Sequence, residues 1–291
     1  MTSVLWINLL AAAVLLVSGC VLWRLFGSAW QAADEASYAW RTRCTEARTK
    51  DWRPLCTSVT AAIALTWREY YGTSTFYFKT LHQPIRQLLG SFLPIDFYSD
   101  WCGQAWAQLS LFVWYVGFPL LVWCIFFPQD AVLDFGMRTR GFFKHAWVYS
   151  LFLALVVVGV CIASLMGSFI SYYPFYRLSS RSWLDLVLWE LVYLPGFFAI
   201  EFFFRGWWML ALQRSIGSAA IFVVTVPYCM IHFGKPYVET LSTLVGSVAL
   251  GSLSIKTKSI YQGTLLHMIL ALSMDCLALW QTGRLPEAFW P

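Results

Sequence analysis

Residues 146–170 run for 25 positions without one Asp, Glu, Lys, Arg or His. A helix needs about 20 such residues to cross the hydrocarbon core of a bilayer. Further apolar runs cover 105–127, 183–198, 199–213, 217–232, 239–254 and 260–280, and Val4 to Val21 forms another near the start. Several are short for a full crossing, which is tolerated where a helix lines a cavity instead of facing lipid. Water could not cover this much apolar surface. Hydrophobic residues make up 59% of the 291 and charged residues 12%, against about a quarter charged in a soluble domain. The sequence therefore predicts an all-α, polytopic transmembrane bundle of about seven or eight membrane helices. Residues 1–104 read as an N-terminal anchor helix followed by a polar, interfacial extension, and 105–291 as the transmembrane domain.

The chain carries 17 Trp, and its net charge of +5 is scattered. Indole and phenol rings collect where lipid meets water, and dispersed Lys and Arg suit loops beside anionic headgroups. Membrane lipid is thus an expected partner and nucleic acid is not, since no run of basic residues is present. Orientation stays open. The basic content of 24–104 draws that segment inside, and a single crossing at 105–127 then puts Arg138, Arg140 and Lys144 outside. The eight cysteines form no CxxC pair and no zinc spacing. A disulfide among Cys44, Cys56 and Cys102, which lie outside the apolar runs, is open.

Ionisable groups at membrane depth cost several kcal/mol and need a reason. Glu190, Glu201, Arg205, His232, Lys235, Glu239, His267 and Asp275 all fall from residue 190 onward. Glu201 and Arg205 are four apart and share a helix face, which fits a neutralised ion pair or a carboxylate oriented by its arginine. His232 ends an apolar helix, and Gly234 and Pro236 turn the chain just beyond it. Glu239 follows seven residues after His232. His267 sits in mid-helix, with Asp275 two turns further along. Two histidines on separate helices plus a carboxylate can pass a proton between water and a leaving amine. The same set could hold Zn²⁺.

Three of these segments resemble motifs of the CAAX protease and bacteriocin-processing family of intramembrane endopeptidases, also called the abortive-infection family. The Glu-Glu-x-x-x-Arg motif corresponds to Ile200-Glu201-Phe202-Phe203-Phe204-Arg205. The aromatic-x-x-x-His motif corresponds to Tyr228 through His232. The His-x-x-x-Asn/Asp motif corresponds to His267 through Ala271. Ile200 replaces the first glutamate and Ala271 the final amide or acid, while Asp275 lies one turn beyond. The stretch His232 to Thr240 and the run Glu201 to Gly206 look like features of one bacterial branch. The resemblance implies a helical core around a water-filled cavity, at about 183–280, in a bacterial inner membrane. It implies endopeptidase action on a membrane-associated protein or peptide. Chemistry of the glutamate type without a metal is favoured, with zinc as the alternative. Under it Glu201 or Glu239 activates water with His232, His267 stabilises the oxyanion, and Arg205, Tyr228 and Asp275 support them.

Two other classes remain open. The losses at 200 and 271 fit a catalytically inactive relative that binds a peptide or lipid as a scaffold. Intramembrane charges also mark transporters and channels, although the chain shows no inverted repeat.

Overall fold

Hydrogen-bond economy explains why almost every apolar run becomes a helix: nothing in hydrocarbon can satisfy a bare N–H or C=O. The computed structural model describes residues 2–139, 143, 146–165 and 167–291, without the side chains of residues 2–5 and 7. In chain order the main helices are α1 (Thr2–Glu46), α2 (Arg53–Tyr71), α3 (His82–Leu89), α4 (Ser99–Phe126), α5 (Ala146–Ser164), α6 (Trp183–Ile216), α7 (Ala219–Met230), α8 (Tyr237–Thr257) and α9 (Tyr261–Gln281). Among the described residues there is no β-strand, only one isolated bridge between Met137 and Ser259. Among the described residues six helices are long and apolar enough to cross a membrane, so the expectation of an all-α polytopic membrane protein holds.

The helix inventory differs from the sequence in two places. The runs 183–198 and 199–213 are one helix, α6, of 34 residues. Glu201 and Arg205 look like a break in the apolar pattern, but ending a helix there would strand backbone groups at depth. The chain instead widens into a π-helical stretch over Phe202–Trp208 and carries on. The apolar run Val4–Val21 does not end the first helix, which continues through residues 24–46 without interruption. None of the eight cysteines is in a disulfide. Arg140 and Lys144 lie outside the described residues.

The chain forms two compact units. The first comprises Met1–Ser58, Ala131–Gly141 and Phe204–Ile260. Here α1 packs along α8 and along the Met209–Ile216 end of α6, and α7 packs on α8. Polar pairs fix the alignment. The Trp30 indole donates to Ser252 Oγ (2.9 Å), Tyr237 donates to Asn8 Oδ1 (2.8 Å), and Thr225 donates to Ser247 Oγ (2.9 Å). Beyond α1, Asp51 gathers donors from Trp40 (2.9 Å), Ser215 (2.6 Å) and Arg53 (3.2 Å). Burial alone would raise the Asp51 pKa, but those hydrogen bonds outweigh it and hold the carboxyl below its usual range.

The second unit comprises Val59–Asp130, Phe142–Phe203 and Tyr261–Pro291. Its α9 packs against α5 and α6, and α4 packs against α6. Gly196 lets α6 and α4 approach: a Cβ there would meet Gln108 Oε1 at 2.7 Å. The α6 N-terminus has two caps. Ser182 Oγ accepts from the Asp185 N–H at 3.0 Å. The Trp183 and Leu184 N–H groups donate to the carbonyls of Ala288 and Phe289 at 3.0 and 3.1 Å. Large apolar side chains such as Leu155, Val158 and Ile162 on α5 point outward, as lipid-facing residues do.

Two outcomes follow for the first unit. A Cβ on Gly206 would lie 2.6 Å from the Phe135 carbonyl oxygen. Gly206→Ala is therefore expected to cost about 1–3 kcal/mol by overpacking, read from thermal unfolding in detergent. Asp51→Ala strands the Trp40 and Ser215 donors and is expected to cost about 1–3 kcal/mol at neutral pH. Because the Asp51 pKa is lowered on folding, its contribution is complete at neutral pH and disappears as acid protonates it, below the usual carboxylate range. The wild-type melting temperature should accordingly fall more steeply on acidification than that of Asp51→Ala.

Candidate active site

Continuity of α6 sets the place of the first acid. Glu201 is the last residue of the regular α-helical part, and the π-helical turn begins at the next position. π-Bulges recur at functional sites because the extra residue re-aims side chains without leaving a bare carbonyl. Glu201 is fully buried. Its Oε1 lies 3.0 Å from Nδ1 of His267, which α9 supplies from mid-helix and which is 12% exposed. The Phe197 ring, one turn before Glu201, lies 5.8 Å from the imidazole. The approach is close enough for an ion pair and turns Nδ1 toward the carboxylate, so that Nε2 faces away from Glu201. Glu201 and His267 thus form a carboxylate–imidazole pair inside the second unit.

Asp275 does not extend that pair. Its Oδ2 accepts from the Trp189 indole at 2.8 Å, both residues are fully buried, and Glu190 lies alongside. Trp189 also stacks on Tyr193, with centroids 4.6 Å apart and planes at 13°. The sequence offered no sign of this role for Trp189, whose partner sits 86 residues away. The one nearby signal was Glu190, an acid in an apolar run.

The remaining candidates belong to the first unit. The Arg205 guanidinium lies 3.6 Å from the centroid of the Tyr228 ring, a cation–π contact in a buried setting. Tyr228 also receives the edge of Phe204 at 5.3 Å. His232 places Nδ1 2.8 Å from the Tyr228 carbonyl oxygen, and its ring is 4.8 Å from the Tyr228 ring. A carbonyl only accepts, so Nδ1 carries the proton and neutral His232 keeps its lone pair on Nε2. Thr240 Oγ1 donates to the His232 carbonyl at 2.8 Å and ties the turn to α8. Lys235 Nζ lies 2.7 Å from Glu239 Oε1. The aromatic four residues before His232 is therefore a platform for both Arg205 and His232, a role its motif position leaves unstated.

Among the described residues no three His, Cys, Asp or Glu side chains converge as a metal-ligand set. The described side chains do not fit a zinc centre of the usual kind.

The sequence model of the Rce1-like family, type II CAAX prenyl endopeptidase Rce1-like, matches residues 181–273. That span takes in Glu201, Arg205, Tyr228, His232, Glu239 and His267 and stops before Asp275. It agrees with the resemblance carried by the three motifs. The protein is an integral membrane protein with a CAAX-protease-like region. No curated protein and no solved structure matches the chain.

Removing the Asp275 carboxyl tests its structural role. Asp275→Ala leaves the buried Trp189 N–H without its acceptor and is expected to cost about 1–3 kcal/mol, whereas Asp275→Asn, which still accepts, should cost less. Thermal unfolding of the two purified variants in detergent decides this.

Proposed function

We propose that the protein is an intramembrane endopeptidase that hydrolyses a peptide bond in a membrane-associated protein or peptide. The Glu201–His267 contact of 3.0 Å is the observation that carries it, because a buried carboxylate on one imidazole nitrogen is how a histidine is made ready to move protons. In this scheme Glu201 holds the Nδ1–H of His267 and stabilises the imidazolium that forms. His267 Nε2 takes a proton from water as the water oxygen adds to the scissile carbonyl carbon. The tetrahedral adduct then collapses, the C–N bond breaks, and the same proton passes from Nε2 to the departing nitrogen, giving a carboxyl group and an amine. His267 is thereby a proton carrier instead of the oxyanion donor that the motif resemblance implies. Glu239 is held by the ammonium of Lys235 at 2.7 Å and takes no part in this scheme. The match to a CAAX endopeptidase family over 181–273 supports the reaction class.

A second reading draws on Ile200 and Ala271, which stand where the family motifs carry a carboxylate and an amide or acid. On that reading the chain binds a membrane peptide without cutting it.

Cleavage by the purified protein in proteoliposomes separates the two. The probes are a quenched fluorescent peptide ending in a prenylated cysteine and one bearing a hydrophobic anchor. Glu201→Gln and His267→Ala should each lower kcat about 10²–10⁴-fold, while Glu239→Gln keeps most activity. Equal rates for wild type and Glu201→Gln would overturn the scheme, and binding without cleavage by the wild type would favour the scaffold.

A further inference from the structure

The first unit has two distinct ends. Near their starts, Tyr237 of α8 bonds Asn8 of α1. Further along, Trp30 bonds Ser252, and the Lys256 ammonium lies 5.8 Å from the Phe26 ring centroid. The two helices therefore run parallel. From Asn8 to Phe26 is about 27 Å at 1.5 Å per residue, close to the thickness of a hydrocarbon core, about 30 Å. Helix α7 runs the other way: Ser218 at its start bonds Asp34 on α1, and Cys229 near its end meets the Thr240 carbonyl. The turn after α7, with His232, Lys235 and Glu239, thus lies at the Asn8 end.

Charge separates these ends sharply. At the Phe26 end, the guanidinium groups of Arg43, Arg53 and Arg214 all lie within 5.0–5.7 Å of the Trp40 ring centroid. Lys258 bonds Gln213, and the bridge from Met137 to Ser259 brings Arg138 beside Lys256 and Lys258. The basic groups of 41–53, of 138 and of 256–258, which compete when counted along the chain, are therefore on one face. Toward the Asn8 end, among the described residues of this unit, the Lys and Arg side chains are Lys235, paired with Glu239, and Arg205, buried against the Tyr228 ring.

We infer that the arginine–lysine end of this unit lies against the anionic cytoplasmic leaflet and that the 231–236 turn opens at the opposite interface. Lys and Arg are retained on the cytoplasmic side of membrane proteins, and each is drawn to anionic headgroups. A peptide that reaches His232 is then a translocated segment, tethered at the outer interface, and not a prenylated tail presented from the cytoplasm. That such a peptide is cleaved rests on the peptidase proposal; the orientation does not.

Single-cysteine labelling tests the orientation in the full chain. All eight native cysteines are replaced by Ser, and either Phe233→Cys or Lys50→Cys is added. A membrane-impermeant maleimide is applied to right-side-out and to inside-out membrane vesicles. Phe233→Cys should label fully in right-side-out vesicles and Lys50→Cys only in inside-out ones. The reverse pattern overturns the inference, as does labelling of both sites from one side or failure of Phe233→Cys to label from either. Val238→Cys and Thr49→Cys repeat the comparison for any chain that does not elute as a single species. Labelling needs no turnover, so a chain that cuts nothing still reports its orientation, and a reversed pattern leaves the peptidase scheme standing.

Discussion

The backbone of α6 cannot stop at membrane depth, and the functional residues of the chain are arranged around that constraint. A break at Glu201 would expose carbonyls and amides to hydrocarbon, each at a cost of several kcal/mol. The chain keeps its ladder by widening into π-helical turns over Phe202–Trp208. Glu201 sits at the join, and its burial is made tolerable by the imidazole of His267. Gly206 lies within the widened stretch, and its missing side chain makes room for the Phe135 carbonyl.

Much of the fold was legible because lipid makes composition decisive. Long uncharged runs such as 146–170 had no alternative to the helix, and α5, α8 and α9 fall close to their apolar stretches. Boundaries were legible only where a local signal existed. Gly217, at φ 63°, ends α6, and Pro236 precedes α8. The join of 183–198 to 199–213 was hidden, because the charges that seem to interrupt the pattern are accommodated by partners far along the chain. The continuation of α1 through 24–46 was hidden for the opposite reason: polar residues there signal water, and a helix persists in water when its side packs on Ser252 and Ser218.

Of the candidate site, the residue types and their order were readable from motif spacing, but their partners were not. Sequence paired Glu201 or Glu239 with His232. The structure gives Glu201 to His267, Glu239 to Lys235, and His232 to the Tyr228 carbonyl. The contact to Lys235 is between residues four apart, which helical spacing alone would have suggested. The contact between Glu201 and His267 depends on how α9 is laid against α6, and no local pattern encodes that. Asp275 shows the same limit, since its indole partner could be found only once the two helices were placed together.

The double cap on α6 has a consequence for assembly. Ser182 is part of the same segment as the helix it caps and is present as soon as that turn forms. The carbonyls of Ala288 and Phe289 are not, because they are synthesised only after three more helices, α7, α8 and α9, have followed α6. Until then the Trp183 and Leu184 amides must be hydrated, which keeps that turn at the water boundary. The closing residues thus act as a latch on a helix laid down much earlier, and the second unit is complete only when the end of the chain folds back onto it.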